Sequence, residues 1–148
     1  MYNHAPDNYV CPFCRIVQKQ DKERIPDIIY QNEDITAFIV REQCQNNLGQ
    51  AVVIPNQHFE NFYDLPINLV TQINECARKL ALTMKASYLC DGITLQQNNE
   101  PAGDQKVWHY HLHIIPRYKG DEFYFNLERK IVLEEKRAKY AKKLKQLL

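Results

Sequence analysis

Alternation between apolar and polar positions is the first organising signal in the chain. "DIIYQ" (27–31) and "DITAFIV" (34–40) read as two short strands, with "NE" in the turn between them. "QAVVIP" (50–55) predicts a third strand, stopped by Pro55. "DGITLQQ" (91–97) predicts a fourth and "WHYHLHII" (108–115) a fifth, with the turn chemistry of "NNEPAGD" between them. Pro116, which has no amide proton for a ladder, is expected to end the fifth. The period changes between Pro66 and Tyr88. Leu69, Ile73, Cys76, Leu80 and Met84 recur at three- and four-residue steps, which predicts a long helix with one apolar face and Pro66 in its first turn.

The C-terminal stretch "RKIVLEEKRAKYAKKLKQLL" (129–148) predicts a basic helix over 128–148. It holds eight Lys and Arg against two Glu, a charge of +6 in a chain whose total is +1. One reading is a solvated helix docked through Ile131, Ala138, Ala141 and Leu148. The other is a cationic wall beside a polyanionic substrate. Together the elements predict an α+β fold: an antiparallel sheet of about five strands, a long helix and a C-terminal helix. At 148 residues the chain is expected to be a single domain over 1–148 with its core at 11–117. A chain of this size can bury roughly 70% of its unfolded surface, so its core needs no covalent staples.

Composition narrows the classes. The chain is 45% hydrophobic and 25% charged, as globular domains are. A net charge of +1 supplies no global field toward nucleic acid or membrane, and stable binding to either is not expected. No apolar run reaches the roughly 18 residues of a transmembrane helix. The opening "MYNHAPDNYVCPFC" is expected to be neither signal nor transit peptide. Five cysteines, only two of them closely spaced, fit a reducing cytoplasm better than a disulfide framework.

"VWHYHLHIIPR" (107–117) carries three of the five histidines at alternate positions. In a strand His109, His111 and His113 share one face, their neighbours roughly 7 Å apart. Burying three titratable rings together is costly unless each has a partner or a task. Metal ligation is one task; attack of an imidazole nitrogen on phosphorus is the other. "CPFC" places Cys11 and Cys14 at C-x-x-C spacing without the βαβ context of a thioredoxin-like redox pair. Zinc held by Cys11, Cys14, His58 and one strand histidine would close a tetrahedral site; a plain pair of reduced thiols satisfies the spacing equally well. His4 lies in a terminus expected to be disordered.

These segments resemble the histidine triad (HIT) family of nucleotide hydrolases and transferases. "HYHLHII" matches its H-φ-H-φ-H-φ-φ signature, "CPFCRIV" its N-terminal cysteine segment, "AVVIPNQHFENFYDL" its V-I-P-x-x-H stretch, and "LQQNNEPAGDQKVWHYHLHIIPR" its Asn…Gln…His block. The resemblance spans Cys11 to Arg117. It implies His111 as the nucleophile that takes up a nucleoside monophosphate, and His113 as the partner that contacts phosphate and helps the leaving group or water. It also implies a structural zinc on Cys11, Cys14, His58 and His109, with Asn98 and Gln105 near ribose and phosphate. A purine nucleotide or dinucleoside polyphosphate substrate and a homodimer follow from the same likeness. A histidine at position 113 fits a hydrolase rather than a nucleotidylyltransferase.

The chain also departs from the family pattern. Lys106 stands where a small hydroxyl residue is common, and Gln50 where His is common. "AFIVREQCQNN" lacks the family's ribose-binding Asp, Glu42 being the nearest acid. The expected function is release of a nucleoside 5′-monophosphate from phosphoramidates or dinucleoside polyphosphates. The alternative is a zinc-stabilised nucleotide-binding or interaction module with little catalysis, and a redox protein using Cys11 and Cys14 is a third reading.

Overall fold

The computed structural model describes residues 2–126 and 128–146. Helix α1 spans Pro12–Val17, and a 3₁₀ turn at Lys22–Asp27 leads into β1 (Ile28–Gln31) and β2 (Ile35–Ile39). β3 (Glu42–Cys44), β4 (Ala51–Pro55), the long helix α2 (Ile67–Tyr88), β5 (Gly92–Gln97) and β6 (Leu112–Arg117) follow. β7 (Arg129–Ile131) and α3 (Glu134–Lys145) complete the order. Five strands form one antiparallel sheet in the order β1-β2-β4-β6-β5, and β3 pairs with β7 in a separate antiparallel ribbon. The α+β expectation holds.

The two faces of the sheet have different employment. Ala37, Ile39, Ala51, Val53, Leu112 and Ile114 alternate onto one face and join α2 in the main core. All five residues of the apolar stripe on α2, from Leu69 to Met84, are buried there. Each such side chain contributes roughly 1.5–3 kcal/mol through the water it escapes. On the opposite face, strand register lines up Phe38, Val52, His113 and Gln96 in one row across β2, β4, β6 and β5. α1 packs over Phe38 and Val52 through Phe13 and Ile16, while His113 is left to the site. Gly49, just before β4, adopts φ +90°, and a Cβ there would stand 2.7 Å from the Tyr88 ring and 2.8 Å from that of Tyr140. Conformation and space both demand glycine at this position.

The histidine strand is shorter at its start than its alternation predicts. β6 begins at Leu112, so His113 lies in the ladder while His109 and His111 sit on the extended approach to it. The cause is Pro55. In the register of β4 with β6, Val53 faces Leu112, which would set Pro55 against Tyr110. Proline has no amide to donate, and its carbonyl instead meets Nε2 of His109 at 2.9 Å. The Tyr110 amide donates to the carbonyl of Phe59 instead. At its far end β6 runs through Pro116 to Arg117, beyond the expected stop. Pro116 faces Ile93 on β5, but the pairing with β4 ends at Ala51–Ile114, so no β4 acceptor faces the missing amide.

The C-terminal segment is a strand and then a helix, rather than one helix over 128–148. β-branched Ile131 and Val132 suit extended backbone, and Arg129–Ile131 finds a partner in β3. Ile131, expected to dock the helix, is 59% exposed. Ala138 is half-buried and Ala141 buried, while Leu148 lies outside the described residues. Docking rests on Ala141, Leu144 and Arg137. Nε of Arg137 donates to Asp27 Oδ2 at 2.9 Å, a buried pair that Arg24 joins at 2.5 Å. The N-terminus is also anchored. The His4 ring meets Glu100 at 3.0 Å, and the amide of Ala5 donates to Glu60 at 3.2 Å.

Candidate functional site

"CPFC" is a helix start. Pro12 opens α1, where its missing amide costs nothing, and Cys11 caps the helix, its Sγ accepting from the Cys14 amide at 3.4 Å. One helical turn therefore brings both sulfurs to the same place. His58 arrives from the loop after β4, and His109 from the approach to β6. Nδ1 of His109 stands 3.3 Å from Sγ of Cys11 and 3.6 Å from Sγ of Cys14, and Nδ1 of His58 stands 3.4 Å from Sγ of Cys14. All four donor atoms lie within 4.8 Å of one another. Two thiols and two imidazole nitrogens converging at these separations are the donor set of a tetrahedral zinc site. Nε2 of His109 faces the Pro55 carbonyl, so its proton belongs there and Nδ1 offers the lone pair. Burial pushes the Cys14 thiol up to about 12 and the His109 imidazole down to about 4. A thiol held that high is poorly suited to redox cycling.

His111 is buried beside this cluster. Its Nδ1 lies 2.7 Å from the carbonyl oxygen of His109. A carbonyl only accepts, so Nδ1 carries the proton and Nε2 the lone pair. The ring sits edge-on to Phe13 at 5.3 Å between centroids and to His113 at 4.9 Å. Nδ1 of His113 is buried without a hydrogen-bond partner among the described residues. Burial lowers the pKa of both imidazoles, His113 well below the ordinary range, with neighbouring positive charge reinforcing the effect. Both rings are therefore neutral near pH 7.

His111 and His113 open onto a cavity of about 900 Å³. Its apolar end is formed by Phe13, Phe38, Val40 and Val52. Asn98, Glu42 and Lys106 also line it, Lys106 paired with Asp104 at 2.5 Å. Gln105 stands behind the wall. Its Nε2 donates to the Glu60 carbonyl at 2.6 Å and to that of Val107 at 3.1 Å, while its Oε1 accepts from the Glu100 amide at 2.8 Å. It thus braces a loop in which Glu100 and Asp104 hold φ of 62° and 64°. The Asn98 amide donates to the Gly103 carbonyl of the same loop.

The structure brings Cys11, Cys14, His58 and His109 together as one cluster, and Asn98, His111 and His113 as one cavity wall. Sequence reasoning missed Phe13, which carries no chemical signature, and Arg129, which also lines the cavity.

The family profile described as "HIT domain" matches residues 21–120. The chain is 38% identical over 123 residues to the protein called hit of Bacillus subtilis (strain 168), a match covering 81% of this chain and 79% of that one. It is 31% identical over 108 residues to the adenosine 5′-monophosphoramidase of Saccharomyces cerevisiae, covering 72% of this chain and 62% of the relative. A zinc-bound histidine triad family protein from Mycobacterium smegmatis superposes with a TM-score of 0.76 at 29% identity, over 93% of this chain and 94% of that one. The chain belongs to the histidine triad family. That family includes nucleotide hydrolases, the yeast monophosphoramidase among them. No helix among the described residues is long and apolar enough to cross a membrane.

Proposed function

We propose that this protein is a nucleotide hydrolase that releases a nucleoside 5′-monophosphate through a covalent intermediate on His111. The observation that carries the reading is the 2.7 Å contact between Nδ1 of His111 and the His109 carbonyl, which leaves Nε2 as the nucleophile in a ring that lines the cavity. The apolar end suits a purine base, and Glu42 and Asn98 are the polar groups offered to ribose. Nε2 attacks the α-phosphorus and forms a P–N bond. The bond to the leaving oxygen or nitrogen breaks, and that atom keeps the electron pair and takes up a proton, which His113 is placed to pass. Water then attacks phosphorus, the P–N pair returns to Nε2, and the water's proton is released. Dividing one displacement into two is the gain of a covalent route. Gln105 serves by holding its loop in place.

Cys11, Cys14, His58 and His109 would hold a structural zinc ion, which supplies cross-linking between α1, the His58 loop and the approach to β6. The same His109 that ligates through Nδ1 orients His111 through its carbonyl. The proposal includes a homodimer in a reducing cytoplasm. β5, an edge strand of the sheet with Leu95 half-exposed, offers a pairing edge to a second copy. Sedimentation at twice the 17.5 kDa chain mass is expected.

Rapid-quench mixing with radiolabelled adenosine phosphoramidate and, separately, diadenosine tetraphosphate tests the chemistry. Zinc-loaded protein is expected to retain label, and His111→Asn to retain none. Turnover of neither substrate would overturn the hydrolase reading. Tight nucleotide binding without trapped label would favour a binding module.

A further inference from the structure

β7 sorts its residues by face. Arg129 pairs with Cys44, which is buried against Ile115 and Phe123 on the site face of the main sheet. Directly paired residues of an antiparallel ladder share a face, so Arg129, itself exposed to solvent, stands on the site face and lines the cavity with His111 and His113. Lys130 turns away, its amine 3.3 Å from Gln45 and 3.8 Å from Glu128.

Four cationic side chains line this cavity: Arg24, Arg41, Lys106 and Arg129. Arg24 is committed to Asp27 and the Ile39 carbonyl, and Lys106 to Asp104. The side chains of Arg41 and Arg129 have no hydrogen bond or ion pair among the described residues. Cys44, the partner of Arg129, packs on Ile115, which pairs with Thr94 of β5 beyond the last β4–β6 pair at Ala51–Ile114, so Arg129 stands on the β5 side of the site. The apolar end, with Phe38 and Val52, lies on the other side of His113 in the row across the sheet. A nucleoside seated at the apolar end with its α-phosphate at His111 would extend any further phosphates toward Arg129. Arg129 also lies beyond the 21–120 stretch matched by the family profile.

We propose that Arg129 determines leaving-group specificity: its guanidinium binds phosphate beyond the bond that is cleaved, so polyphosphate leaving groups are favoured over amines. The inference rests on the hydrolase reading above. When His111 attacks, the P–O bond breaks and its electron pair stays on the leaving polyphosphate oxygen. A guanidinium meets that charge through paired N–H donors. An amine leaving group carries no such charge and departs only by taking up a proton, for which Arg129 does nothing.

The test compares kcat/KM on diadenosine tetraphosphate and adenosine phosphoramidate for wild type, Arg129→Gln, Arg129→Lys and Lys130→Gln. Arg129→Gln is expected to lose at least tenfold on the tetraphosphate and less than twofold on the phosphoramidate. Arg129→Lys should recover part of the loss, and Lys130→Gln, removing the same charge from the outer face, should change neither by more than twofold. Equal loss on both substrates, or loss on neither, overturns the proposal. If wild type turns over neither substrate, the hydrolase reading falls, and the ratio of ATP to AMP affinity decides the subsite alone. That ratio, measured in His111→Asn, must drop at least tenfold on adding Arg129→Gln; an unchanged ratio refutes the subsite.

Discussion

Asp121 shows how much one carboxylate can organise. It is buried just past β6 and accepts from Arg117 at 2.7 and 2.8 Å, from Asn47 at 2.7 Å, and from the amides of Tyr118 and Phe123 at 3.0 and 3.1 Å. Arg117 in turn lies over the Phe123 and Tyr124 rings, 4.5 and 4.8 Å from their centroids. The cluster holds the chain that leads from the histidine strand toward β7. The Arg117 guanidinium, with the other donors, keeps the Asp121 carboxyl well below the usual carboxylate range. The unfolded group titrates near pH 4, so the stability it contributes is complete above that pH and is lost as pH falls below it. Asp121→Asn is expected to cost about 2–4 kcal/mol in urea unfolding at pH 7. It should also flatten the fall in stability between roughly pH 5 and pH 2. Acid sensitivity equal to that of wild type would refute the assignment. None of this was legible in the sequence, where Asp121 is one of several acids in a turn. The triad histidines were legible because alternate spacing is local, whereas the donors around Asp121 are brought together only by folding.

At the scale of elements, α1 and the approach to β6 form one unit through the Cys₂His₂ cluster. Strand patterning found β1, β2, β4 and β5 almost to the residue, because short β-branched and apolar runs bounded by turn residues mark strands even where, as in β2 and β4, both faces are buried. It overran the start of β6, because Pro55 removes a ladder donor on a different strand. It gave no sign of β3 and β7, whose three-residue lengths carry too little periodicity to read. Removing metal from the cluster with a chelator is expected to lower the thermal midpoint by several degrees, since a bound ion stabilises only the folded chain. Cys14→Ser should abolish metal retention at about one ion per chain and reproduce the loss. A thermal midpoint indifferent to chelation in wild type would argue against a structural ion. His111→Asn, by contrast, leaves all four donors in place and should keep both metal and midpoint.

Across the whole molecule, the basic C-terminal segment has a divided role. The exposed lysines of α3 face solvent, as expected of a solvated helix, yet Arg137 is 4% exposed and paired with fully buried Asp27. That pair ties the end of the chain to the turn before β1, and Arg24 extends the link to the cavity wall. Composition could not separate Arg137 or Arg129 from their neighbours. Only register and docking decide which of the eight basic residues is buried, as Arg137 is, or lines the cavity, as Arg129 does. Arg137→Ala is expected to cost about 3 kcal/mol, because it leaves the Asp27 carboxylate buried with one cation instead of two. A shift in urea midpoint below that given by Lys139→Ala, an exposed residue on the same helix, would refute the claim.

Gly49 gathers these levels at a single backbone position. Two tyrosine rings from separate helices close over the one hydrogen it presents in place of a side chain. Even a methyl group there would act as a wedge, prising α2 from α3 and straining the Asp27–Arg137 pair, which sits one turn from Tyr140 on the same helix. A library randomised at codon 49 and selected for folded protein should therefore return essentially one amino acid, although nothing in that codon's position takes part in chemistry.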